Sequence, residues 1–115
     1  MSSRAYWRVT DMQSAISEIR KLLEGKSVNS LMSDAATRAA FERFLEILSE
    51  ASRHIPDDLK EEFSEIPWRQ VADLGNFIRH VYHKVDIEVL WSIYENDLDP
   101  LEKVVRDLIE RLRPH

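Results

Sequence analysis

The chain has no cysteine. Disulfides and thiolate metal sites are therefore excluded, and a reducing compartment is compatible with the composition. Only two glycines and four prolines occur in 115 residues. That leaves little material for β-turns or long loops. There is no strand-like alternation, internal repeat or low-complexity tract. No apolar run approaches the ~20 residues that a membrane helix needs. No signal-peptide core follows Met1-Ser2-Ser3-Arg4, so a cytoplasmic protein without membrane contact is expected. Positive charge is also short, with a net charge of −5. Broad nucleic-acid affinity needs clustered positive charge, so any contact with nucleic acid must be local.

What is present reads as helix. The chain is 43% hydrophobic and 32% charged, which suits a helical globular protein. Its length predicts one domain over residues 1–115, burying roughly two-thirds of its unfolded surface. Val9, Met12, Ile16, Ile19 and Leu23 recur at helical spacing and predict a first helix over 5–23. Tyr6 and Trp7 near its start suit packing or dimer contacts. Gly25 suits its C-terminal cap. Residues 26–32 read as a connection with one short helical turn. Asp34 is a good N-cap for a second long helix to about His54. Phe41, Phe44, Leu45, Leu48 and Ser52 give that helix one face, and five alanines between 35 and 51 allow close approach. Glu42, Glu46 and Glu50 recur every four residues with Arg38, Arg43 and Arg53 between them. Such a row suits a solvated or partner-facing edge better than a metal bundle. His54 suits a C-terminal cap.

Pro56-Asp57-Asp58 opens a short helix to about Phe63. Pro67 suits the first position of the next helix, which the pattern extends to His83. Asp86 reads as the cap of a helix to about Glu95. Asn96 to Pro100 reads as a break. Asp99 as N-cap and Pro100 at the first position then start a last helix, with Leu101, Val104, Val105, Leu108 and Leu112 as its stripe. The expected fold is all-α, an antiparallel bundle of four or five principal helices.

The stretch from Gly75 to Tyr82 carries the chemistry. With Gly75 at zero on a helical wheel, Arg79 falls near ~40°, Asn76 near ~100° and His80 near ~140°. Leu74, Phe77, Ile78 and Val81 take the opposite arc. Histidine is a general acid or base near neutral pH. Arginine can clamp a phosphate and stabilise charge developing on it. A plain solvated face fits the spacing too. Arg69, Arg79 and Lys84 against Asp73 make residues 69–84 net positive, with His80 and His83 among them. His80, His83 and an aspartate also suggest a metal site, but no Glu accompanies the histidines and nothing else converges, so no metal is assigned.

Ile66-Pro67-Trp68-Arg69, Gly75-Asn76, Arg79-His80-Val81-Tyr82 and Val85-Asp86-Ile87-Glu88-Val89-Leu90-Trp91 together resemble the HepT-like ribonuclease toxins of the HEPN superfamily. The resemblance runs through nearly the whole chain. It implies a HEPN-like bundle and the toxin of a prokaryotic toxin–antitoxin pair. It implies an endoribonuclease that needs neither metal nor cofactor, with a site completed across a homodimer. Asn76, His80 and Tyr82 match the family signature, and His80, Arg79 and Asn76 are the catalytic candidates. His83, Lys84 and Arg69, from the locally positive stretch, are RNA-binding candidates. The resemblance further implies an MntA-like nucleotidyltransferase antitoxin that adds AMP to Tyr82. The chain departs from the pattern at Gly75 and at Arg79, where the family often has an apolar residue. The family arginine lies five residues before the histidine, and Gly75 stands there. A non-catalytic HEPN module that binds the nucleotidyltransferase is therefore the alternative. Helical side chains lean toward the N-terminus, so Arg79 is expected to lie back over Gly75 and face one groove with Asn76 and His80. The competing reason for Gly75 is the close approach of another helix.

Overall fold

The computed structural model describes residues 3–114; Met1, Ser2 and His115 lie outside it. Helix α1 spans Ser3–Leu23. It forms because Val9, Met12, Ile16, Ile19 and Leu23 stack on one stripe, and all five are buried. Burying each such side chain contributes about 1.5–3 kcal/mol. Gly25 ends the helix at φ +74°, a left-handed conformation that a Cβ would strain. Trp7 packs edge-on against Tyr6 but stays 61% exposed.

The connection after Gly25 holds a full helix, α2, Val28–Ser33. Its start is a reciprocal cap. Ser30 N–H donates to Ser27 Oγ at 3.1 Å, and Ser27 N–H donates to Ser30 Oγ at 2.8 Å. Two serines here do what the Ser/Thr and Glu/Gln pair does in the usual capping box. Asp34 caps α3, Ala35–Ser52, by accepting from Thr37 N–H at 3.1 Å. Phe41, Leu45 and Leu48 of α3 are buried in the core. Of the five alanines only Ala51 is buried, so close approach on this helix has another cause, described below. His54 does not cap α3 with its ring, which lies 3.4 Å from Glu50 instead.

Helix α4 spans Asp57–Glu62, and α5 spans Trp68–Ile78 with Pro67 at the N-cap. The motif helix is therefore shorter than the pattern to His83 predicts, and Pro67 lies one place before its first position. Arg79 is the C-cap, and His80 to His83 form a turn and an extended step. Helix α6, Lys84–Ser92, starts immediately after His83. The reason is local. Asp86 Oδ2 accepts from the N–H groups of Tyr82 at 3.1 Å and His83 at 3.0 Å. Those donors would otherwise continue α5. Asp86 thus sits at the third position of α6 rather than at its cap.

The expected break at 96–100 is absent. Helix α6 runs on through a π-helical turn, Ile93–Asp97, into α7, Leu98–Leu112. Pro100 cannot donate to the helical ladder, and the widened turn lies directly before it. Asp99 lies inside α7 and pairs with Arg20 of α1. Glu102 pairs with the same arginine at 2.9 Å. Arg111 of α7 pairs with Glu62 of α4.

Among the described residues there are seven α-helices, the π turn and no strand. The fold is all-α. Four long elements dominate: α1, α3, α5 and the continuous run 84–112. α3 packs against both α1 and α5, and α1 also packs against α7. None of these helices is long and apolar enough to cross a membrane.

Candidate active site

α3 and α5 are locked by a serine. Ser49 is buried, accepts from Gly75 N–H at 3.0 Å and donates to the Ala72 carbonyl at 2.9 Å. Arg53, one turn further along α3, also donates to Ala72, at 2.8 Å. Later residues of α3 meet earlier residues of α5, so the pair is antiparallel. Gly75 has a packing reason here. A Cβ at that place would lie 3.3 Å from Ser49 Oγ. Close approach of another helix is thus the observed cause.

This contact carries a test. Gly75→Ala gains roughly 1 kcal/mol of helix propensity. It also pushes on a buried hydroxyl whose two hydrogen bonds contribute about 1 kcal/mol each. We expect Gly75→Ala to lower stability by about 1 kcal/mol. Combined with Ser49→Ala it should cost less than the two single changes added, a coupling of about 1 kcal/mol in denaturant titrations. A stabilised Gly75→Ala protein would show that Ser49 yields freely.

Beside this lock lies a groove of about 410 Å³. Arg43, Glu46, Glu50 and Arg53 of α3 line one side, and Gly75, Asn76 and Arg79 the other. Three guanidiniums against two carboxylates leave it net positive. Arg79 and Asn76 are exposed. Arg53 is held by its bond to Ala72, and Arg43 makes only a loose 3.8 Å pair with Glu46. Among the described residues the Arg79 side chain has no ion pair or hydrogen bond. It can therefore meet an incoming anion without first leaving another.

The histidine sits differently from the wheel. His80 lies two residues past the end of α5, on the turn, and does not line this groove. Its ring stands edge-on to Tyr82, with centroids 6.3 Å apart. Tyr82 is 72% exposed, and its hydroxyl has no partner among the described residues. His83 is the N-cap of α6 and Lys84 its first residue. Arg69 lies in the first turn of α5, ten residues before Arg79, or about 15 Å along the axis. So Asn76 and Arg79 share the groove, His80 and Tyr82 share the adjoining turn, and Arg69 is apart from both. No three His, Asp or Glu side chains among the described residues are placed to hold a metal. Arg43 and Arg53 are groove residues that sequence reading placed on a solvated or partner-facing edge. Arg43 stands three residues before Glu46 and Arg53 three after Glu50, a spacing the sequence shows. That α5 would form the opposite wall was not visible.

Asp86 fixes the turn that carries His80 and Tyr82. The hydrogen bonds from Tyr82 N–H and then His83 N–H hold its carboxyl below the ordinary aspartate value. A depressed carboxylate stabilises the fold above its unfolded pKa, and that contribution is lost as pH falls through the folded pKa. We expect Asp86→Ala to speed hydrogen exchange at the Tyr82 and His83 amides at neutral pH without affecting Ser49 or Gly75. The wild-type Asp86 carboxyl should titrate below a free aspartate by NMR. Unchanged exchange would free the turn from this cap.

Known proteins are similar to this chain over most of its length. Residues 12–108 match the family model described as ribonuclease HepT-like. The chain belongs to the HepT-like ribonuclease family. It is 36% identical over 92 residues to a Thermococcus cleftensis protein named "Probable ribonuclease HepT", covering 80% of this chain and 84% of that one. It is 30% identical over 95 residues to a Methanocaldococcus jannaschii protein named as a candidate RNase, covering 83% and 87%. No solved structure matches this chain significantly. For a HepT-like ribonuclease the all-α fold is in keeping.

Proposed function

We propose that this chain is the toxin of a prokaryotic toxin–antitoxin pair and cleaves RNA internally without a metal. The observation that carries the reading is the family match across the motif, with Asn76, Arg79, His80 and Tyr82 all open to solvent. In this reaction a ribose 2′-oxygen attacks the adjacent phosphorus. The phosphorus–5′-oxygen bond breaks, leaving a 2′,3′-cyclic phosphate and a 5′-hydroxyl. One His80 accepts the 2′-hydroxyl proton. A second protonates the departing 5′-oxygen. Each chain supplies one His80, so the second comes from the other copy of a two-fold dimer. Arg79 holds the phosphate and the charge that builds on it. Asn76 donates or accepts a hydrogen bond beside it. His83, Lys84 and Arg69 contact flanking phosphates.

The antitoxin in this reading is an MntA-like nucleotidyltransferase that adds AMP to Tyr82. An AMP brings negative charge and bulk to the turn that holds His80, so RNA is repelled. Mass spectrometry after incubation with that enzyme and ATP should show one AMP, on Tyr82. Full neutralisation with unmodified Tyr82 would mean that binding alone silences the toxin.

One observation favours a second reading. Gly75 is packed against Ser49, so an arginine at that place would crowd a buried hydroxyl. If Arg79 does not serve in its stead, the chain is an inactive module that still binds the nucleotidyltransferase. Expression alone in bacteria separates the two. Growth arrest that disappears with His80→Ala supports the ribonuclease; unimpaired growth, with no RNA cleavage by purified protein, supports the module.

A further inference from the structure

The side of α5 away from Arg79 is apolar. There a second groove of about 190 Å³ opens between α5, α3 and the π turn. Leu45 and Leu48 form its floor, and Val71, Leu74 and Ile93 line it. Pro67 and Pro100 also border it, and their fixed backbone angles make it a preformed site. Glu65 and Asp97 are also part of its lining. Both are exposed, and neither carboxylate has an ion pair or hydrogen bond among the described residues. The π turn brings Ile93 and Asp97 to the same groove, and such turns often mark functional places in helices.

We propose that this groove docks a protein partner through one large apolar side chain flanked by lysine or arginine. The volume decides against a whole small-molecule ligand, whose sites run to about 300–1,000 Å³. A dry cavity of roughly 150 Å³ accommodates one benzene ring, so one aromatic or branched side chain fills this groove. The two carboxylates then select the charge beside it. They also repel RNA. A partner seated here leaves Arg79 and Asn76 uncovered on the other side of α5. The inference does not depend on the ribonuclease reading.

The test uses the full chain and two capped dipeptides, acetyl-Phe-Arg-amide and acetyl-Phe-Glu-amide, followed by NMR shifts. The Arg peptide should shift the Leu74 and Ile93 signals and bind at least about fivefold tighter than the Glu peptide, as two exposed charge pairs allow. Glu65→Gln with Asp97→Asn should equalise the two peptides and leave RNA cleavage as it was. Equal binding of both peptides by the unaltered protein, or no shifts at these residues, overturns the proposal. Self-association of the protein that is lost both in Trp7→Ala and in the Glu65/Asp97 variant would also overturn it, because the exposed Trp7 of a second copy, next to Arg8, would then be the occupant. A loss of cleavage with peptide binding intact would leave this proposal standing.

Discussion

Replacing His80 by alanine should lower RNA cleavage by roughly 10²–10⁴-fold, the range a positioned proton-transfer group contributes. His80 is exposed and has no ion pair among the described residues. Its removal should therefore change stability by no more than about 0.5 kcal/mol, as for other surface substitutions. The pairing of large activity loss with an unchanged melting curve is the signature of a chemical role. The proposed dimer adds a sharper expectation. If each site takes one His80 from each chain, a mixed dimer of wild-type and His80→Ala chains has no complete site. Mixing a twofold excess of the inactive chain into the wild type should lower activity beyond dilution once subunits have exchanged. Activity that falls only in proportion to dilution would mean that each chain carries its own complete site.

Arg79→Lys should cost RNA cleavage on the order of 10²-fold or more. Removing one preformed donor to a developing negative charge costs about 10²–10³ in turnover. Lysine keeps the charge but not the planar fork that makes two parallel bonds to a phosphate. The family arginine is missing at Gly75, and Arg79 is one turn later on the same groove. Because Arg79 has no carboxylate partner among the described residues, the substitution breaks no ion pair among them. Stability should stay level while cleavage falls. Arg43→Lys, on the opposite wall, is the control: it should weaken RNA binding modestly and leave the chemical step nearly intact. Wild-type cleavage in Arg79→Lys would make Arg79 a bystander and return weight to the inactive-module reading.

The long elements were readable because their apolar stripes agree with their caps. Val9 to Leu23 with Gly25, and Phe41 to Leu48 with Asp34, each give period and punctuation together. The misread places are those where short-range hydrogen bonding overrode the period. The apolar residues Leu74, Phe77, Ile78 and Val81 carry the helical pattern past Ile78. Asp86 then takes the Tyr82 and His83 amides and ends the helix earlier. Proline at 100 reads as a start signal, and the chain instead carries it inside α7, after a π turn at Ile93–Asp97. Neither event has a periodicity of its own. At the site, Asn76 and Arg79 were placed on one groove by spacing alone, since both lie on or at the end of α5. Spacing put His80 on the same groove, and the structure does not, because the wheel does not extend to a turn. The groove's α3 wall was invisible for a different reason. It depends on which helix α5 meets, and that is fixed by the Ser49–Gly75 contact, a long-range pairing that a linear pattern does not carry.

The central claim is that this HepT-like chain cleaves RNA by 2′-oxygen attack with His80 moving the protons. The most direct measurement incubates purified protein with a 5′-labelled RNA in EDTA and resolves the ends of the fragments. The account predicts internal cleavage that persists in EDTA, leaves 2′,3′-cyclic phosphate termini and is lost in His80→Ala. Fragments that end in a free 3′-hydroxyl, or cleavage that needs a divalent metal or survives His80→Ala, would contradict it.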